Sequence, residues 1–148
     1  MGLFDQLTGM RQSTSTCFNP AEAFAAIALI AIASDGHFSE EEIDLINTSL
    51  RRMQLFKSYP GDVLKRMYDK LFGILRRDGA TVLLNLAKSS LPTELREPAF
   101  AIATDLILVD GTVTPEEEAF LNDLCNALEI SQAIALKIIE VMLIKNRG

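Results

Sequence analysis

The stretch Ala33-Ser34-Asp35-Gly36-His37-Phe38-Ser39-Glu40-Glu41-Glu42-Ile43 decides how this chain is read, because it returns as Leu108-Val109-Asp110-Gly111-Thr112-Val113-Thr114-Pro115-Glu116-Glu117-Glu118. Asp110 follows Asp35 by 75 residues, and the pairs Ser39/Thr114 and Glu42/Glu117 keep that offset. In both copies an apolar run ends in Asp-Gly. One residue later comes an apolar side chain, then Ser or Thr, and three positions on a Glu. The pattern spells a helix stop, a tight turn and a helix start.

Gly36 and Gly111 stand where the preceding helix must end, since glycine takes the left-handed conformation there without a Cβ clash. Ser39 and Thr114 read as N-caps, with Glu42 and Glu117 at N3 reaching back to close capping boxes. Pro115 falls at N1, where a missing N–H costs nothing. Phe38 is placed to staple onto Ile43, a contact that Glu118 denies the second copy.

Working outward, Asn19-Pro20-Ala21-Glu22 opens a helix with Asn as N-cap, running to about Ser34 and apolar all round, so that other helices should surround it. Ile43, Ile46, Leu50 and Met53 recur at spacings of three and four, which predicts an amphipathic helix from Ser39 to about Phe56. A third helix follows Ser58-Tyr59-Pro60, buries Leu64, Met67, Leu71, Ile74 and Leu75, and stops near Asp78-Gly79. A shorter one over 80–90 is built on Leu83, Leu86 and Ala87. Thr93 begins the second copy, with Pro98 predicting an irregular entry, and its apolar run continues to Val109. The helix from Thr114 places Leu121, Cys125 and Leu128 where the first copy has Ile46, Leu50 and Met53. A last helix, capped by Ser131, is expected to bury Ile134, Ile138, Ile139 and Met142. No segment alternates like a strand. The expected fold is all-α, about seven helices in an internally duplicated bundle. Residues 1–18 are expected to form a mobile tail, and 19–148 a single domain with halves at about 20–78 and 95–146.

With 148 residues and 49% hydrophobic content, the chain is the size of one domain with a sizeable core. Its longest unbroken apolar run, residues 23–33, is far short of the roughly 20 residues that span a membrane. Cys17 and Cys125 are too few for a disulfide framework, which points to a reduced cytoplasmic setting. The net charge of −6 is unevenly spread. Residues 1–56 hold seven acids and three bases, 57–96 four acids and eight bases, and 97–148 nine acids and three bases. Both motif copies thus lie in acidic territory, which repels nucleic-acid phosphate and favours cations. Lys65, Arg66, Lys70, Arg76 and Arg77 are interleaved with core positions and read as a solvated helix face. A single histidine, His37, leaves no Ser-His or Cys-His pairing, and there is no glycine-rich phosphate loop, so the chain reads as non-catalytic.

The duplicated pattern, an apolar helix ending in Ala/Val-x-Asp-Gly followed by an apolar residue, Ser/Thr and Glu, resembles the TerB family of tellurite-resistance proteins over roughly residues 20–145. The resemblance implies an all-helical, internally duplicated fold, a cytoplasmic role in the response to tellurite and other stress, and acidic residues that hold a divalent cation. Carried over by position, those residues are Asp35 and Glu42 in the first copy and Asp110 and Glu117 in the second. It also implies stress-response partners, membrane-associated ones among them.

The residues themselves leave two readings open. The motif matches the second half of a calcium-binding loop, but Ala31 and Ala33, and Leu106 and Leu108, occupy the places where an EF-hand needs oxygen ligands. A partial oxygen site then remains, which selects calcium or magnesium before zinc. Alternatively, capping and helix termination account for nearly every motif residue, leaving a helical interaction module whose motifs are structural. Asp105 has no counterpart in the first copy. Set in an apolar helix it needs a partner, and a neighbouring helix end is the expected one.

Overall fold

The computed structural model describes residues 18–33, 39–109 and 111–147, and these hold seven α-helices, two 3-10 turns and no strand. The helices are α1 (Pro20–Ala33), α2 (Glu40–Arg51), α3 (Gly61–Asp78), α4 (Ala80–Ser90), α5 (Arg96–Leu108), α6 (Pro115–Ala127) and α7 (Gln132–Lys145). The all-α expectation is met.

α1 lies at the centre because nearly all of its side chains are apolar and eleven of them are buried. It packs against α2, α3, α4 and α5. Its start follows the sequence closely: the Asn19 Oδ1 accepts from the Glu22 N–H at 2.8 Å while the Glu22 carboxylate accepts from the Asn19 N–H. The other Glu22 oxygen takes Lys70 Nζ at 2.7 Å, tying α1 to α3. Of the expected tail, residues 1–17 lie outside the described residues, and Phe18 belongs to the core instead. It is buried, its N–H donates to Ser90 Oγ, and Lys70 Nζ sits 5.4 Å from its ring centre.

α2 ends earlier than its periodicity predicts. Met53 is extended, and a 3-10 turn over Gln54–Phe56 follows. The cause is Phe56. Had α2 continued, Phe56 would stand about 240° round the helix from Leu50, off the core face. The break swings it inward, where it is almost fully buried and meets Phe24 edge-on, ring centres 6.1 Å apart.

α3 buries Leu64, Met67, Tyr68, Leu71, Phe72 and Leu75, leaving Ile74 half-buried. The Tyr68 hydroxyl donates to Asn47 Oδ1 at 3.1 Å, joining α3 to α2. Burial pushes the Tyr68 phenol up to about 12, against a smaller downward pull from the Arg51 charge. Gly79, with φ +92°, ends α3 and begins α4 in a conformation that side-chain-bearing residues rarely adopt. α4 packs on α1 and α3 together.

The second half enters through a 3-10 turn, Thr93–Leu95, with Pro98 in the first turn of α5, as its sequence suggests. α5 packs on α1, α6 and α7. α6 closes in a Schellman turn: the Ile130 N–H donates to the Cys125 carbonyl and the Glu129 N–H to that of Asn126. The left-handed position is held by Glu129, φ +56°, whose carboxylate accepts from Arg96 at the start of α5.

α7 departs from expectation. Only Ala135 is buried; Ile138, Ile139 and Met142 are half-buried, and Ile134 is exposed. The helix is apolar nearly all round but has neighbours on one side.

Two outcomes follow for stability. Glu129→Gly should raise it by about 0.5–1 kcal/mol, since relief of the left-handed strain exceeds the loss of one exposed ion pair and the added freedom of the unfolded chain; Glu129→Ala, which keeps the strain and loses the pair, should lower it, both read by urea denaturation. The raised Tyr68 pKa means that the unfolded phenol ionises first, near 10, and the folded one only near 12. Stability should therefore fall as pH rises through that window, and fall less in Tyr68→Phe.

Candidate functional site

Both motif glutamates are held as the sequence predicts. Ser39 Oγ accepts from the Glu42 N–H at 3.1 Å, and Glu42 Oε1 accepts from the Ser39 N–H at 2.9 Å. The second copy repeats this with Thr114 and Glu117 at the same two distances. Gly111 has φ +80°, the left-handed stop the motif calls for, and its N–H returns to the Leu108 carbonyl.

The helix starts of the two copies meet. A cleft of ≈ 340 Å³ is lined by Ala31 and Ile32 from the end of α1, Ser39, Glu41, Glu42 and Leu45 from α2 and its cap, Leu106, Ile107 and Val109 from α5 and its end, and Glu117 from α6. Packing of α1 on α5 carries the starts of α2 and α6 to one cleft. Glu42 and Glu117, 75 residues apart in the chain, thus line one cavity. Glu41 joins them, a residue whose role the repeat alone does not mark, because its neighbourhood depends on how the halves pack.

Asp35, Asp110 and His37 lie outside the described residues. Among the described residues no three His, Cys, Asp or Glu side chains converge closely enough to hold a metal ion. The chemistry present is two carboxylates, each with Oε1 committed to its cap, and a third, Glu41, beside them. The positions where an EF-hand would want further oxygens are core: Ala31, Ala33, Leu106 and Leu108 are all buried. An ordinary EF-hand is therefore excluded by packing as well as by residue type.

Asp105 serves the second half's structure. Its Oδ1 accepts from Asn146 Nδ2 at 2.8 Å and Lys145 Nζ at 3.1 Å, so it fastens the end of α7 to α5. Asn146 Nδ2 also donates to the Met142 carbonyl, capping α7. The expected helix-end partner is found; that it is an asparagine with a lysine was not readable, since the pairing spans 41 residues.

No protein family, curated protein or solved structure matches the chain. Among the described residues no helix is long and apolar enough to cross a membrane.

Ser39→Ala and Thr114→Ala should each cost about 1 kcal/mol in chemical denaturation. Asp105→Ala should cost about 1.5–3 kcal/mol, because it strips a charged acceptor from two donors, whereas Lys145→Ala should cost less than about 1 kcal/mol.

Proposed function

We propose that this chain is a non-catalytic, TerB-like protein that binds a divalent cation where its two motifs meet, calcium or magnesium before zinc. The observation that carries the reading is the shared cleft: Glu42 and Glu117 line one cavity, with Glu41 at its wall. Oxygen is the donor these residues offer, and oxygen donors select hard ions. Capping adds to the case, because a carboxylate held at Oε1 by a backbone N–H presents Oε2 in a fixed direction.

In this reading Asp35 and Asp110, the last residues before each glycine, complete the donor set, and waters fill the remaining positions. Affinity is modest, since even four carboxylates spread over two turns make an open site. Tellurite itself is a poor ligand for such a surface, because the acidic field repels an oxyanion. The resemblance to the tellurite-resistance proteins supports a stress-response role, exercised through cation binding and through partners.

A second reading, a helical interaction module whose motifs are structural, is favoured by the capping bonds themselves, which account for Ser39, Glu42, Thr114 and Glu117 without any ligand. The two readings separate at Asp35 and Asp110, which capping does not use.

The test is calorimetric titration and thermal melting of metal-stripped protein with calcium, magnesium and zinc. Ion at about 100 times its dissociation constant should stabilise the wild type by roughly 2.7 kcal/mol. Asp35→Ala with Asp110→Ala should abolish the response. Glu42→Gln with Glu117→Gln should keep the metal-free melting point nearly unchanged, since Gln also closes a capping box, while weakening the response to metal. Unchanged heats and melting points with all three ions at millimolar concentration would leave the interaction module standing.

A further inference from the structure

A second cleft, of ≈ 290 Å³, lies between α2 and α3. On α2 it is walled by Ile43 and Asn47, four residues apart and so on one stripe of the helix, and Arg51 is the next residue of that stripe. On α3 it is walled by Gly61, Lys65, Tyr68, Asp69 and Phe72, which also share one face. The stripes run in opposite directions. Arg51 stands at the Gly61 end, its Nη2 within 3.6 Å of where a Cβ on Gly61 would be. In the middle the Tyr68 hydroxyl donates to Asn47 Oδ1 at 3.1 Å. Ile43 and the buried Phe72 make the far end apolar.

Three charges along this cleft are unspent. Arg51, Lys65 and Asp69 enter none of the ion pairs of the described residues. Lys65 and Asp69 are one turn apart, but a base that precedes its acid by four residues is the weaker order for a helix pair. Asp62, the other acid near the Arg51 end, is turned to Arg66 at 3.4 Å. Asn47 Nδ2 also makes no hydrogen bond within the described chain. Read along α3, the cleft therefore offers cations at the Arg51 and Lys65 end, an anion at Asp69 about 6 Å beyond Lys65, and an apolar wall at Phe72 about 10 Å beyond it.

We propose that this cleft binds a free α-amino acid with an apolar side chain, its carboxylate toward Lys65 and Arg51, its ammonium toward Asp69 and its side chain between Ile43 and Phe72. The choice of ligand rests on the order of the charges. A free amino acid carries both charges on one carbon, with the side chain beyond them, and the cleft presents its partners in that order. A peptide terminus supplies only one of the two charges. The volume is at the small end of ligand sites, which suits a single residue. Lys65 and Asp69 are exposed, so their contribution is screened by water and the dissociation constant is on the order of 1 mM. The site shares no lining residue with the cation cleft and does not depend on the cation reading.

Amide chemical-shift titration of the full, isotope-labelled chain tests it. L-phenylalanine should shift the amides of Asn47, Lys65 and Asp69 and saturate them. Hydrocinnamate, which lacks the ammonium, and phenethylamine, which lacks the carboxylate, should each bind about fivefold more weakly. Lys65→Gln should weaken L-phenylalanine and hydrocinnamate by a similar factor and leave phenethylamine unchanged. Asp69→Asn should weaken L-phenylalanine and phenethylamine and leave hydrocinnamate unchanged. Both side chains are exposed, so both variants should keep the helical content of the wild type. Absence of shifts in this cleft at about 20 mM L-phenylalanine, well above the expected dissociation constant, overturns the inference, as do variants that bind all three probes as the wild type does. Equal affinity for L-phenylalanine and hydrocinnamate overturns it as well, because Asp69 would then have no part in the site.

Discussion

α1 has no side that can be turned to water, and the fold is the solution to that constraint. Seven of its fourteen residues are alanine, so neighbouring helices can approach closely, while Phe24, Ile27, Leu29 and Ile30 fill the spaces between them. Its one ionised residue, Glu22, sits in the first turn and spends its carboxylate on the Asn19 N–H and on Lys70. Four helices are recruited to cover the rest. α5, its counterpart in the second half, is also largely enclosed, but it carries Thr104 and Asp105, and each is answered: Thr104 Oγ1 donates to the Phe100 carbonyl at 2.8 Å, and Asp105 holds the end of α7. No buried side-chain polar atom among the described residues lacks a partner.

Against this core the motifs contribute direction more than energy. A cap is worth about 1 kcal/mol, and burying one Phe or Leu about 1.5–3 kcal/mol; α1 alone buries eleven side chains. What the caps do is fix where α2 and α6 start. Because α1 and α5 pack on each other and each precedes a capped helix, a local rule repeated in sequence becomes a meeting of two helix starts in space.

Helix starts were legible because their chemistry is local. Asn19 with Glu22, Ser39 with Glu42, Thr114 with Glu117, and Ser131 are all caps between residues three apart, and the structure keeps each of them. Helix ends were less so. Gly79 and Gly111 announce themselves, but α2 stops at Arg51 for the sake of Phe56, a preference that only Phe24 explains. α6 stops with Glu129 in a place where glycine would have been the signal. Ile134 is exposed against its periodicity for a related reason. Periodicity reports which residues favour burial, and it is silent on whether a neighbour exists to bury them. In the candidate site the glutamates were readable from capping, whereas the cleft that joins them, and Glu41's place in it, depend on packing between halves that no spacing encodes.

The first turns of α2 and α6 carry more acid than capping needs. Each helix N-terminus presents roughly half a positive charge, and one carboxylate at N3 answers it. Glu40, Glu41 and Glu42 in one turn, and Glu116, Glu117 and Glu118 in the other, amount to six. The two helix ends together offset about one unit of negative charge, and of the six carboxylates only Glu41, Glu42 and Glu117 line the cleft between the halves. Repulsion among like charges brought to one cleft lowers stability. On the proposed reading a cation would neutralise that excess, while the capping bonds hold Glu42 and Glu117 in place with or without it.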